Sequence, residues 1–200
     1  MRYPFLESGC WIFDLDGTLT RPVHDFEHIR KELGIAPQAD ILQAISQQPA
    51  EERRQLNERL DQLELFYAEK ARPASGVLPL LDLLNRRGCR LGILTRNKKD
   101  IAISSLLAIG ADGYFSDSAI IGRDEAAAKP DPHGINILLA LWQKSSNDAV
   151  MVGDFRYDLE VGRAAGTATI HVDDRVDRDW PELTDLKVSS LTQLHKMINF

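Results

Sequence analysis

Cysteine is scarce in this chain, with only Cys10 and Cys89 in 200 residues. That excludes a disulfide-dense scaffold. Each precedes an apolar run, so both are expected to be buried free thiols of a protein from a reducing compartment. No apolar stretch approaches the roughly 18 residues that a membrane-spanning helix needs. The N-terminus lacks the basic region, apolar run and small-residue cleavage site of a secretory signal, so a cytoplasmic location is expected. Positive charge is also in short supply. Lys and Arg number 24 against 30 Asp and Glu, a formal net charge of −6. A general nucleic-acid binder would carry a basic face instead, so neither nucleic acid nor membrane is the expected partner. Repeats and low-complexity tracts are absent. The hydrophobic fraction of 44% is enough for a packed core, and the length suits one domain, or one domain with a small insert.

The most informative stretch is Trp11-Ile12-Phe13-Asp14-Leu15-Asp16-Gly17-Thr18. An apolar strand runs into two carboxylates two residues apart, then a glycine and a hydroxyl. In an open parallel sheet, ligands bind beyond the carboxyl ends of the strands. Residues i and i+2 of an extended chain point the same way, so Asp14 and Asp16 can address one ligand. Gly17 allows a sharp turn and a close backbone approach. A plain turn is the ordinary alternative. A calcium loop of the EF-hand kind is not, because its sixth and twelfth positions would be Leu19 and Asp25 rather than Gly and Glu.

Two further apolar strands and one loop carry complementary chemistry. Residues 90–94 lead to Thr95, with the amides of Arg96 and Asn97 at the start of a predicted helix, a natural anion site. Lys129-Pro130-Asp131-Pro132 occupies a loop before another helix. Residues 149–152 lead to Gly153 and Asp154, with Asp158 one turn on. Taken singly, these are an N-cap, a solvated loop and a first-turn helix carboxylate. Taken together, four carboxylates in one crevice would repel unless a cation lay among them. Thr95, Lys129 and free amides would bind an anion. A metal, an anion pocket and a spare carboxylate make a phosphoryl-transfer site.

Strand patterns over residues 10–13, 90–94 and 149–152, with weaker ones at 113–115 and 167–172, alternate with helical patterns at 76–87, 98–109, 132–144 and 156–165. The alternation predicts an α/β fold: a Rossmann-like parallel sheet with helices on both faces. Gly88 and Gly110 fall at expected helix C-caps. Residues 21–73 read differently, as helix throughout. Phe26, Ile29 and Leu33 share one helical face, Leu56, Leu60, Leu63 and Tyr67 another, and Pro49 separates two segments. Arg21-Pro22 and Arg72-Pro73 flank this insert as stiff junctions suited to a hinge. Some fifty residues do not readily bury a core of their own, so the insert is expected to pack over the strand ends as a lid.

In these motifs the chain resembles the haloacid dehalogenase-like hydrolase superfamily, and within it the phosphoglycolate phosphatase-like branch. Asp14-Leu15-Asp16-Gly17-Thr18 matches the first motif, Thr95 the second, Lys129-Pro130 the third, and Gly153-Asp154 with Asp158 the fourth. One departure is Phe155, where small hydroxyl residues are common. The resemblance implies a core of residues 1–20 and 74–200 and a short helical cap of the first type at 21–73. It implies a Mg2+-dependent phosphatase acting on a small-molecule phosphomonoester, as a monomer or homodimer. Asp14 would be the nucleophile and Asp16 the acid and base. Mg2+ would be held by Asp14, the Asp16 carbonyl, Asp154 and Asp158. Thr95 and Lys129, with Arg96 and Asn97, would hold the phosphoryl oxygens. The cap would select the substrate, with Arg21, His24, Arg72 and Arg96 as charged candidates at the mouth. The alternatives are a phosphomutase, which needs a second phosphate site and a cap acid or base, and a phospho-ligand-binding regulatory protein without turnover. A 2-haloacid dehalogenase is disfavoured by Asp16. A phosphonatase would need a Schiff-base lysine, and Lys31 and Lys70, the lysines of the insert, lie in charged helical surroundings.

Overall fold

The computed structural model describes residues 3–22, 25–175 and 177–199. Six strands, β1 (Cys10–Phe13), β2 (Arg90–Leu94), β3 (Ile120–Ile121), β4 (Ala149–Gly153), β5 (Ala168–Val172) and β6 (Leu186–Val188), form one sheet in the order β3-β2-β1-β4-β5-β6. Every pairing is parallel. The expected α/β class is therefore the observed one.

Helices cover both faces, which is why the central strands are continuous apolar runs rather than alternating ones. Trp11 and Phe13 of β1 belong to a cluster with α4 (Val77–Arg86), α5 (Lys99–Ala108) and α8 (Leu191–Ile198). Their neighbours Cys10 and Ile12 belong to a second cluster with α6 (His133–Trp142) and α7 (Arg156–Ala165). Cys10 is buried and Cys89 half-buried, and both are free thiols. The chain leaves β1 for β2 on one side and later enters β4 on the other. The carboxyl ends of β1 and β4 thus flank the point where the winding reverses, the usual place for a ligand crevice.

Two expectations are corrected. Residues 113–115 are not a strand: Asp112–Tyr114 form a 3-10 turn, and Phe115 packs edge-on against Phe13. The aromatic pair gives a strand-like pattern, but the backbone closes on itself, with the Tyr114 amide donating to Ala111. The strand lies later, at Ile120–Ile121, where it can pair with Ile93 and Leu94. The second correction concerns the insert, which does have a small core. Ile29, Leu33, Ile45, Leu60 and Leu63 form a cluster of their own, drawn from α1 (Phe26–Glu32), α2 (Ile41–Ser46), α3 (Ala50–Ala68) and the α1 boundary. Phe26 stands outside it and is half exposed.

The insert is joined to the sheet by two strands of chain running side by side. Thr20 bridges Pro73 in antiparallel fashion, the Arg21 amide donates to the Arg72 carbonyl at 2.8 Å, and the Ala74 amide donates to Leu19 at 2.9 Å. Pro49 precedes α3, as a residue without an amide donor can at a helix start.

Candidate active site

The backbone ladder carries Asp14 one step beyond β1, because its amide donates to the Val152 carbonyl at 2.9 Å. The carboxylates of Asp14, Asp154 and Asp158 then converge, with one oxygen from each lying within 4.8 Å of the others. Lys129 reaches into this group from the loop before α6. Its Nζ donates to Asp14 Oδ1 and to Asp158 Oδ1, both at 2.6 Å. Its side chain is only 3% exposed. Thr18 Oγ1 donates to Asp154 Oδ1 at 3.3 Å, and the Phe155 amide donates to Asp158 Oδ2 at 3.0 Å. Gly17 adopts φ +94, the left-handed turn for which a glycine was expected.

The electrostatics follow from burial. Loss of solvent pushes the Asp14 carboxyl well above its usual range, and the neighbouring carboxylates push the same way against the pull of Lys129. Burial, then repulsion from Asp158, brings Asp154 up to about 7. Burial works against the charge on Lys129, yet Asp14 and Asp158 overcome it and raise its pKa. Three carboxylates thus face one buried ammonium. The excess negative charge, the all-oxygen donor set and the close spacing fit a hard divalent cation such as Mg2+.

Asp16 is held apart from this group. Asn97 Nδ2 donates to Asp16 Oδ2 at 2.6 Å. The separation suits a second role for the second carboxylate. Thr95 is buried at the end of β2, its amide tied to Ile121 at 3.0 Å. The helix after it, α5, starts only at Lys99, and the Asn97 amide donates to Thr95 Oγ1 at 3.2 Å. The Arg96 side chain is drawn toward the insert. It pairs with Asp40 at 2.8 Å and lies 4.9 Å from the centre of the Tyr157 ring. Arg21 and Arg72 lie on the paired connectors with exposed side chains, and Arg21 Nε donates to the Pro73 carbonyl at 3.3 Å. His24 lies outside the described residues.

Sequence reasoning missed Arg178. Its Nη2 donates to the Asp154 carbonyl at 3.3 Å, and its guanidinium packs near the rings of Phe155 (5.0 Å) and Trp180 (5.7 Å). The departure at Phe155 therefore has a visible consequence: its ring supports an arginine beside Asp154. Arg178 sits in a loop without periodicity, so no pattern announced it. The side-chain bond from Asn97 to Asp16 was also unforeseen, because it joins residues 81 positions apart.

Comparison with known proteins agrees with this geometry. The family described as haloacid dehalogenase-like hydrolase matches residues 11–172. The protein named pyrophosphatase PpaX from Listeria welshimeri is 30% identical over 178 residues, covering 80% of this chain and 81% of its own. A hydrolase from Pseudomonas syringae superposes with a TM-score of 0.79 at 21% identity, over 96% of this chain and 98% of that one. A predicted phosphoglycolate phosphatase from Haemophilus somnus superposes with a TM-score of 0.70 at 19% identity, over 96% and 98%. No helix among the described residues is long and apolar enough to cross a membrane. With the motif residues gathered at one strand edge and the match spanning most of its length, the chain belongs to the haloacid dehalogenase-like hydrolases.

Proposed function

We propose that this protein is a Mg2+-dependent phosphatase that hydrolyses a small-molecule phosphomonoester through an aspartyl-phosphate on Asp14. The observation that carries the reading is the division of labour among the carboxylates. Asp14, Asp154 and Asp158 share one buried cluster with Lys129, while Asp16 is held separately by Asn97. A carboxylate oxygen of Asp14 attacks phosphorus, and the bond from phosphorus to the ester oxygen breaks. Asp16 gives its proton to the departing oxygen. It then takes one from water, whose oxygen attacks the phosphorus and frees phosphate and Asp14. Lys129 and Thr95 hold the phosphoryl oxygens, together with the 96–97 segment. Asp14, the Asp16 carbonyl, Asp154 and Asp158 would hold the Mg2+, which when bound supplies charge stabilisation at the transferring group.

Residues 21–73 act in this reading as a cap over the crevice, selecting the leaving group. The support is that α3 packs against α5 and that Asp40 reaches the Arg96 side chain. The protein works in the cytoplasm as a monomer or homodimer, on a soluble substrate rather than nucleic acid or membrane. The similarity to a protein named pyrophosphatase makes inorganic pyrophosphate a necessary member of any substrate panel.

The test is phosphate release from phosphoglycolate, sugar phosphates, nucleoside monophosphates and pyrophosphate, with and without Mg2+, and with Asp14→Asn as control. Mg2+-dependent release that falls by about 10⁴-fold or more in the variant supports the reading, as loss of a covalent nucleophile should. Absence of release from every monoester overturns it.

A further inference from the structure

Arg123, just beyond β3, is a charged residue to which no role has been given, and its guanidinium is only 7% exposed. Two carboxylates of α3 claim it. Nη1 donates to Glu64 Oε2 at 2.7 Å, and Nη2 donates to Asp61 Oδ1. The same residue grips the segment after β2 twice. Its amide donates to the Asn97 carbonyl at 3.0 Å, and Nη1 also donates to the Arg96 carbonyl at 3.2 Å. Asn97 in turn donates to Asp16 at 2.6 Å. An unbroken path of hydrogen bonds therefore runs from α3 of the insert, through Arg123 and the 96–97 backbone, to the carboxylate read as the proton donor. Arginine suits the junction because its planar fork serves two carboxylates and a carbonyl at once, which a lysine ammonium does with less fixed geometry.

We propose that Arg123 is a positioning residue: anchored by Asp61 and Glu64 of the insert, it fixes the 96–97 segment and, through Asn97, the orientation of Asp16 for protonating the leaving group. This rests on the phosphatase reading above. The step concerned is the passage of the Asp16 proton to the ester oxygen as the phosphorus–oxygen bond breaks toward Asp14. An alkoxide leaves poorly without that proton. A p-nitrophenolate leaves readily as the anion. A fault confined to the placement of Asp16 must therefore discriminate between leaving groups, whereas a general loosening of the crevice must not.

The experiment compares kcat/KM for glycerol phosphate and p-nitrophenyl phosphate, since this ratio reports the steps up to release of the alcohol. Arg123→Gln should lower the alkyl-ester value by about 10²-fold, the usual worth of a positioned proton donor, and the aryl-ester value by less than about threefold. Asn97→Ala, which also touches the segment that holds the phosphoryl oxygens, should lower both values and the alkyl-ester value the more. Arg123→Lys should recover part of the alkyl-ester loss. Glu64→Gln, which keeps side-chain volume and removes the buried charge, serves if Arg123→Gln fails to fold, and should show the same split at about tenfold. Equal losses on both esters, or unchanged values on both, overturn the assignment. The alkyl ester is the best alkyl substrate of the panel above where glycerol phosphate is not cleaved, and wild-type turnover of no ester at all overturns the phosphatase reading and this inference with it. Wild-type turnover with an unsplit loss overturns this inference alone.

Discussion

At the carboxyl edge of the sheet, Asp14, Asp154 and Asp158 crowd around one lysine. At the junction of α3 with the sheet, Asp61 and Glu64 share Arg123, and Asp61 takes Lys98 as well, at 2.6 Å. Both places bury charge, but the ledger differs. The junction balances two carboxylates with two cations from this chain. The crevice sets three carboxylates against Lys129 and Arg178, the latter 3.9 Å from Asp154, and so leaves negative charge in excess. Burying a charge without a partner is costly, so the junction is balanced within the chain, while the excess carboxylate charge of the crevice suits a cation. The helices bear this out from the other side. The apolar cluster of the insert is separate from both clusters of the sheet, and the ion pairs of Asp61 and Glu64 with Arg123 and Lys98 join the two.

The contrast can be broken most forcefully at Lys129. Lys129→Ala should lower the hydrolysis rate by about 10²–10³-fold, the cost of one electrostatic contact at a transferring group. It should also destabilise the metal-free protein by about 3 kcal/mol or more, because it strips the partner from Asp14 and Asp158. Thermal melts with EDTA and with Mg2+ check the second part, and Mg2+ should restore part of the loss. A variant as stable as the parent without metal would show that the crevice is not short of positive charge.

A smaller effect is expected from packing the same crevice too tightly. A Cβ at Gly153 would lie 2.1 Å from Asp158 Cβ and 2.3 Å from its Cγ. Gly153→Ala must therefore move the helix that carries Asp158, at a cost of about 1–3 kcal/mol in stability. It should also weaken Mg2+ binding measured by calorimetry. Unchanged Mg2+ affinity would detach Asp158 from the proposed metal set.

Titration sharpens the comparison further. Asp14 is raised by burial, and Asp154 and Glu64 are brought to about 7, also chiefly by burial. A carboxyl whose folded pKa lies above its unfolded value contributes stability below the unfolded value and loses it as pH rises through the folded one. The part due to Asp154 and Glu64 should therefore make the metal-free melting temperature fall from about pH 4.5 to about pH 7.5 and level off above that. His171, lowered from 6.5 by burial, acts in the opposite sense below about pH 6.5. Mg2+ favours the ionised carboxylates, so it should flatten the fall due to the crevice and leave the part due to Glu64. That remainder should vanish in Glu64→Gln. A Mg2+-independent slope in both proteins would refute the separation of the two sites.

How much of this was legible in the residues depends on distance along the chain. Strands β1, β2 and β4 were readable because burial on both faces makes them solid apolar runs, and the catalytic candidates follow directly at their ends. The helix at Arg156–Ala165 was readable to its ends because Gly166 closes it. The region after residue 172 was not read: β6 has three residues, and the Leu191, Leu194 and Ile198 stripe of α8 is too short to stand out. Nor could any periodicity reveal that Arg123 meets Glu64, a bond made only once the insert lies on the sheet, or that Asn97 meets Asp16, a bond made only once β1 and β2 are side by side. The expectation that the insert lacks a core failed for a related reason. Ile45 of the short α2 joins Ile29 and Leu60 across two turns of chain, which no single helical face displays.

The weakest effect should come from the ion pairs that look most regular. On α3, Arg54 contacts Glu51 and Glu58, each at 2.6 Å, with side chains 58%, 67% and 59% exposed. The distances match those at Lys129, so geometry alone would rank the two sites equally. Solvent decides otherwise. Exposed pairs exchange one set of water-screened contacts for another and lose side-chain freedom in doing so. Arg54→Ala should leave the melting temperature and the hydrolysis rate within error of the parent, at low and at high salt alike. It shares helix α3 with Asp61 and Glu64, which makes it the control for Arg123→Gln. If Arg54→Ala shifted the alkyl-to-aryl ratio as well, the helix as a whole, and not the two carboxylates that hold Arg123, would be what steadies Asp16.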